Sequence, residues 1–155
     1  MPVVDSALRH HAPMISTLLI CLVTGISDGD SLTVRCGSAD AAAPRQVRIH
    51  AIDAPERYQS FSDASRSSLS DLCLNARARL QPLDSDAYGR TVGQIECRGE
   101  DAGEHQIRTG MAWAHTRHAS PYFDHLLALQ QQARLARRGL WVDPEPMAPW
   151  LWRRR

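Results

Sequence analysis

The chain has 155 residues, 43% of them hydrophobic and 23% charged, which suits one domain with a real core and excludes overall disorder. A formal net charge of +1 excludes a globally basic nucleic-acid binder, so any basic surface must be local. All 18 basic side chains are arginine, a bias that GC-rich coding explains at most positions, and only Arg48 and Arg90 are set apart below. Cys21, Cys36, Cys73 and Cys97 form no Cys-x-x-Cys pair and have no histidine at zinc spacing, which argues against a zinc site. Their even number fits disulfides outside the cytosol or four reduced thiols inside it.

Residues 1–13 read as a loose leader closed by Pro13. Met14 to Val23 is an apolar run resembling the hydrophobic region of a signal peptide, and it is too short to span a bilayer. No small-x-small cleavage site follows it, and the run flows into the first strand. A cleaved signal and an uncleaved or misassigned start both stay open. Cys21–Ser27 is the first strand, Asp28-Gly29-Asp30 a hairpin turn and Ser31–Cys36 the second strand. Gly37–Pro44 is a small, polar loop.

Gln46 to Glu56 is the most informative stretch. Val47, Ile49, Ala51 and Ile52 supply a strand's apolar rhythm, with Arg48 and His50 on the other face. Pro55 then makes a fixed bend with Asp53 and Glu56 on either side. One cation and two acids around a rigid turn suit a metal and a phosphate together, although the same pattern fits an ordinary polar strand end.

Beyond it, Asp63–Asn75 is a helix with Ala64, Leu69, Leu72 and Cys73 on one face. Ala76–Leu80 is a fourth strand, Asp84–Gly89 a turn and Arg90–Cys97 a fifth strand. Asp101–Thr109 is a short helix ended by Gly110, and Trp113 lies in an apolar stretch. Pro121–Arg138 is the clearest helix, with Gly139 as its cap, after which Leu140 and Trp141 return to the core. Three prolines, two tryptophans and the triplet Arg153–Arg155 mark a tail expected to pack in extended form. The triplet reads as a solvated end, with a phosphate contact as the alternative. The expected architecture is α+β and β-rich: a five-stranded OB-type barrel with about three helices packed against it. The corresponding division is a leader at 1–19, a domain at 20–142 and a tail at 143–155.

Three stretches in this order, Asp28-Gly29-Asp30-Ser31-Leu32, Arg48 with Ile52-Asp53-Ala54-Pro55-Glu56, and Asp86-Ala87-Tyr88-Gly89-Arg90, resemble the thermonuclease, or staphylococcal-nuclease-like, family. The resemblance continues through Gly110-Met111-Ala112 to Ala136-Arg137-Arg138-Gly139-Leu140-Trp141 and so covers roughly Cys21 to Trp141. It implies a calcium-dependent phosphodiesterase that cuts DNA and RNA and leaves 3′-phosphates. In such a domain Ca2+ would be held by Asp30, Asp53 and the backbone oxygen of Ala54. Arg48, Glu56 and Arg90 would be the catalytic trio, and Tyr88 would meet a substrate phosphate or sugar. Ala87 stands where the best-known member has a basic residue, and Ala114–His118 lacks tyrosines that pack there against a base.

Trp113 is expected to pack in the core, and His115 and His118 to face solvent. Cys73 closes the first helix and Cys97 the fifth strand, which would allow them to pair. A monomer in the periplasm or medium is expected, with the cytoplasm as the alternative. The competing reading is a non-catalytic OB-fold module binding nucleic acid or protein, which typically loses the acids or arginines retained here. A disulfide-held structural domain would explain the cysteines alone.

Overall fold

Alternating aliphatic residues and short connections shape the scaffold. The computed structural model describes residues 17–38 and 43–155, so the expected leader lies almost wholly outside the described residues. Strands β1 (Leu19–Asp28) and β2 (Ser31–Cys36) form the predicted hairpin, and β3 (Arg45–Ile49) pairs antiparallel with β2. The first strand starts earlier than expected, with Leu19 opposite Leu80, so the second half of the apolar run belongs to the barrel. Its Cys21 and Val23 point inward while Ile20 and Leu22 face out.

The stretch read as one strand to Ile52 is broken. Ala51 adopts a left-handed φ of 64°, and β4 (Ile52–Asp53) leaves the barrel for a separate pairing. Strand β5 (Arg77–Ser85) runs five residues past the expected end at Leu80, because Pro82 is accommodated at a bulge against β6 (Thr91–Cys97). Strand β6 also pairs in parallel with β3, Val47 opposite Thr91, and this closes a five-stranded mixed barrel. Val23, Leu32, Val34, Val47, Ile49, Leu80 and Ile95 fill its interior. A short β7 (Glu100–Asp101) folds back to pair antiparallel with the end of β6, and β8 (Trp113–Ala114) pairs with β4.

Among the described residues, four helices pack around the barrel. Helix α1 (Ser62–Cys73) buries Ser65, Leu69, Leu72 and Cys73, so Ser65 takes the inward place expected of Ala64. Its hydroxyl is satisfied by donating to the Met111 carbonyl at 2.6 Å. Asp101 caps α2 (Ala102–Arg108) by accepting from the Glu104 N–H, and Ser120 caps α3 (Pro121–Leu135) by accepting from that of Phe123.

Helix α3 stops three residues short of the expected Arg138. Arg137 takes φ 52°, and the Arg138 N–H closes back on the Ala133 carbonyl at 3.0 Å, so an arginine makes the left-handed stop assigned to Gly139. Gly139 instead opens a 3-10 turn, Gly139–Val142, packed so closely on Gly110 that a Cβ on Gly139 would collide with the Gly110 carbonyl and one on Gly110 with the Arg138 carbonyl. The tail is not extended throughout. Pro149 starts a one-turn helix, α4 (Pro149–Trp152), in keeping with proline's preset φ at a first helical position.

Two disulfides link these elements. Cys73–Cys97 ties the end of α1 to the end of β6, as its element ends suggested, and Cys21–Cys36 joins cross-strand partners of β1 and β2. No helix among the described residues is long and apolar enough to cross a membrane.

Candidate active site

Two turns meet at one end of the barrel. Asp28 Oδ1 accepts from the Asp30 N–H at 3.0 Å, shaping the β1–β2 turn as expected of it, and aims the Asp30 side chain inward. Asp30 Oδ2 then accepts from the Ala54 N–H at 2.7 Å, while its Oδ1 accepts from the Ser31 hydroxyl at 3.1 Å. The first turn is thereby bonded to the second, the bend at Pro55. Gly29 permits this approach, because a Cβ there would fall on the Ser65 hydroxyl and within 2.9 Å of Ala54 Cβ. Gln106, fully buried, donates to the Gly29 carbonyl at 2.8 Å and to that of Ser65 at 2.9 Å, which braces the turn from below.

Arg48 leaves the barrel wall between Val47 and Ile49 and lies across both turns. Its Nη1 donates to the carbonyls of Ile49 and Ile52 at 3.0 and 2.8 Å and lies 3.4 Å from Asp30 Oδ2, and its Nη2 lies 3.8 Å from Asp53 Oδ1. Asp30 and Asp53 are only 6% and 1% exposed. Burial pushes the Asp30 carboxyl up to about 6; Arg48 pulls it back and the Asp28 carboxylate raises it further. Asp30, Asp53 and the Ala54 carbonyl are hard oxygen donors that could hold a cation such as calcium. Among the described residues no three His, Cys, Asp or Glu side chains gather as a chelating group, so this donor set rests on two carboxylates and a main-chain oxygen.

Glu56 is half-buried just beyond Pro55, and its N–H donates to Gln59 Oε1 at 2.9 Å. Arg90 approaches from the opposite side. Its backbone N–H and its Nε bond Asp86 at 2.9 and 2.7 Å, and its Nη1 reaches the Ser31 hydroxyl at 3.5 Å. Asp86 thus orients Arg90 as well as shaping its turn. Tyr88 is 86% exposed, with the Arg90 guanidinium 5.7 Å from its ring centre. A recess of about 720 Å3, bordered by Arg45, Gln46, Tyr88 and Arg90, opens beside this arginine.

All the expected site residues therefore lie around one end of the barrel. Asp30, Arg48, Asp53 and Ala54 are in direct contact, Glu56 adjoins Asp53 along the bend, and Arg90 joins through Ser31.

Three participants escaped the sequence reading. Ser31 stands in the Asp28–Leu32 motif and at the start of the second strand with no role of its own expected, and Gln59 lies in the polar stretch between Glu56 and the first helix, which carries no site signal. The third is Arg153, whose guanidinium forks onto Asp53, with Nη2 2.8 Å from Oδ2 and Nη1 3.2 Å from Oδ1, and also contacts Glu56 Oε1. Arg153 is thus docked on two acids, where the triplet was expected to be a free solvated end, although 45% of its side chain stays exposed. The Asp53 hydrogen bonds, followed by those of Glu56, hold this guanidinium above its ordinary value, fixing its charge. Trp113 packs edge-on against Trp141, as expected of a core residue, while His115 stacks on Trp150 at 4.2 Å although it remains exposed.

Comparison with known proteins identifies the family. Residues 46–143 match the family model described as Staphylococcal nuclease homologue. Protein ParB of Escherichia coli is 35% identical over 141 residues, covering 85% of this chain and 77% of its own. An uncharacterized endonuclease of Haemophilus influenzae is 35% identical over 135 residues, 86% of this chain and 72% of its own. A protein named micrococcal nuclease in Shigella flexneri is 32% identical over 141 residues, 85% and 79% of the two chains. Barrel, paired turns, family match and relatives agree: the chain belongs to the staphylococcal nuclease homologue family.

Proposed function

We propose that this chain is a calcium-dependent phosphodiesterase that hydrolyses DNA and RNA internally and leaves 3′-phosphate ends. Its class, a hydrolytic endonuclease, follows from the family and from relatives named as nucleases. The observation that carries the residue assignment is the gathering of Asp30, Arg48 and Asp53 within 3.8 Å contacts at a bend that ends in Glu56. Three neighbouring acids around arginines suit a phosphate accompanied by a hard cation, and a plain binding barrel has no need of them.

Asp30, Asp53 and the Ala54 carbonyl would hold the calcium ion, which when bound would supply charge neutralisation for the phosphate. Glu56 orients a water in line with phosphorus and takes its proton. The Arg48 and Arg90 forks receive the phosphate oxygens on which negative charge grows, two planar donors fixed by Asp30 and Asp86 respectively. The P–O5′ bond breaks, the 5′ oxygen gains a proton, and phosphate stays on the 3′ side. Tyr88, at the mouth of the recess, would line the path of a neighbouring phosphate or sugar. One chain carries every residue of this set, so the reading takes a monomer as the working unit. The two disulfides support a place in the periplasm or medium.

Cleavage of single-stranded and duplex DNA and of RNA, in calcium and in chelator, tests the reading. Wild type should cut only with calcium, and Glu56→Ala and Arg90→Ala should each lose about 10²- to 10³-fold in rate, as single transition-state groups commonly do. The new ends should resist 3′ extension until treated with phosphatase. A folded, calcium-supplied protein that does not cut would be a binding module instead.

A further inference from the structure

Arg153 stands 100 residues from Asp53 and 97 from Glu56 in the chain, yet one guanidinium joins them. We propose that Arg153 is a positioning residue of this centre: carried by a packed C-terminal arm, it bridges Asp53 and Glu56 and holds the Glu56 carboxylate where the attacking water needs it. The proposal deepens the nuclease reading and rests on it.

The arm that carries Arg153 is anchored to the same turn whose acids it binds. Trp150 stacks on His115 at 4.2 Å and meets Trp113 edge-on at 5.5 Å, and Trp113 is the strand partner of Asp53 in the β4–β8 pair. Ala148 and Pro149 are buried. Gln59 forms a second tie, accepting from the Glu56 N–H at 2.9 Å through Oε1 and donating to the Met147 carbonyl at 2.7 Å through Nε2. A plug meant to leave would have to break all of these contacts, whereas a permanent support would keep them.

The stoichiometry of lone pairs points the same way. Two carboxylate oxygens offer about four acceptor positions, and Arg153 takes two at Asp53, which leaves room for a cation on that side chain. On Glu56 it takes Oε1 and leaves Oε2 for water. Without Arg153, Glu56 would be a half-buried side chain beside two other acids, repelled by them and free to change rotamer. Lysine at this place would supply charge without the planar fork that spans two carboxylates.

The test is DNA cleavage by Arg153→Ala, Arg153→Lys, Arg154→Ala, Glu56→Gln and the double variant Arg153→Ala/Glu56→Gln, with thermal melting of each in chelator. Arg153→Ala should lower kcat about 10- to 100-fold, the usual range for a group that orients another, with KM within about threefold. Arg153→Lys should recover part of kcat, and the exposed neighbour Arg154→Ala should match wild type. In the double variant the alanine should add no loss beyond that of Glu56→Gln, the sign of acting through Glu56. In chelator, Arg153→Ala should melt several degrees lower.

A wild-type kcat in Arg153→Ala, or losses that multiply in the double variant, would overturn the proposal. So would a raised kcat with tighter calcium binding by calorimetry, because the arm would then be a brake. Failure of the nuclease reading would look different: no variant, wild type included, would cut with calcium, while Arg153→Ala would still melt lower in chelator.

Discussion

Gly29 shows how a single missing side chain can locate two acids. It lets the β1–β2 turn sit against α1 and the Pro55 bend closely enough for Asp30 to accept from the Ala54 N–H. We expect Gly29→Ala to destabilise the fold by about 1–3 kcal/mol, the usual range for overpacking. It should also weaken calcium binding, measured by calorimetry, because Asp30 and Asp53 would be pushed apart. An unchanged calcium affinity would mean that the two turns are positioned independently. At this scale the sequence was largely legible. Asp30, Arg48, Asp53, Glu56 and Arg90 stand in short motifs whose chemistry is local, and the structure brings all five to one end of the barrel. Arg153 was not legible, because its partners lie about a hundred residues away and a terminal arginine triplet looks the same whether it is solvated or docked.

Among the elements, α1 and β6 depend on each other through Cys73–Cys97, both fully buried, which closes a separation of 24 residues. Converting both cysteines to alanine should cost about 2–4 kcal/mol, read as a lower Tm and a lower midpoint in denaturant. Opening Cys21–Cys36 should cost a similar amount, since its separation of 15 residues is comparable and the dependence on loop length is logarithmic. A reducing agent that leaves Tm unchanged would show that neither bridge contributes. Element identity was readable from period and turn chemistry, but ends were less so. Strand β5 passes Pro82 because a bulge absorbs it, and α3 ends at Leu135 because the backbone bonds that close the turn beyond it, from Arg137 to Arg134 and from Arg138 to Ala133, outweigh the cost of a left-handed Arg137. The short β4–β8 pair carried no sequence signal, since two-residue strands have no period to detect.

At the scale of the whole molecule, the order of strands and helices was enough to indicate the barrel, whereas its closure by a parallel pair came from the structure. Val47, Arg48 and Ile49 meet Thr91, Val92 and Gly93 across more than forty residues of chain, and this seam sets Arg48 and Arg90 on facing sides of the same end. Pairings so remote form late, because the chain entropy of closing the loop must be met before the contact returns anything, and barrels of this kind fold in roughly milliseconds to seconds. After a jump out of denaturant into calcium and a fluorogenic DNA, helical circular dichroism should therefore recover before cleavage begins. Cleavage that keeps pace with the helical signal would contradict this order. On the proposed mechanism the seam consequently acts as a safety catch: until it closes, Arg90 is on a separate piece from Arg48, Asp53 and Glu56, so a newly made or partly folded chain would spare the nucleic acid around it, and the molecule would become dangerous only at the last step of its own assembly.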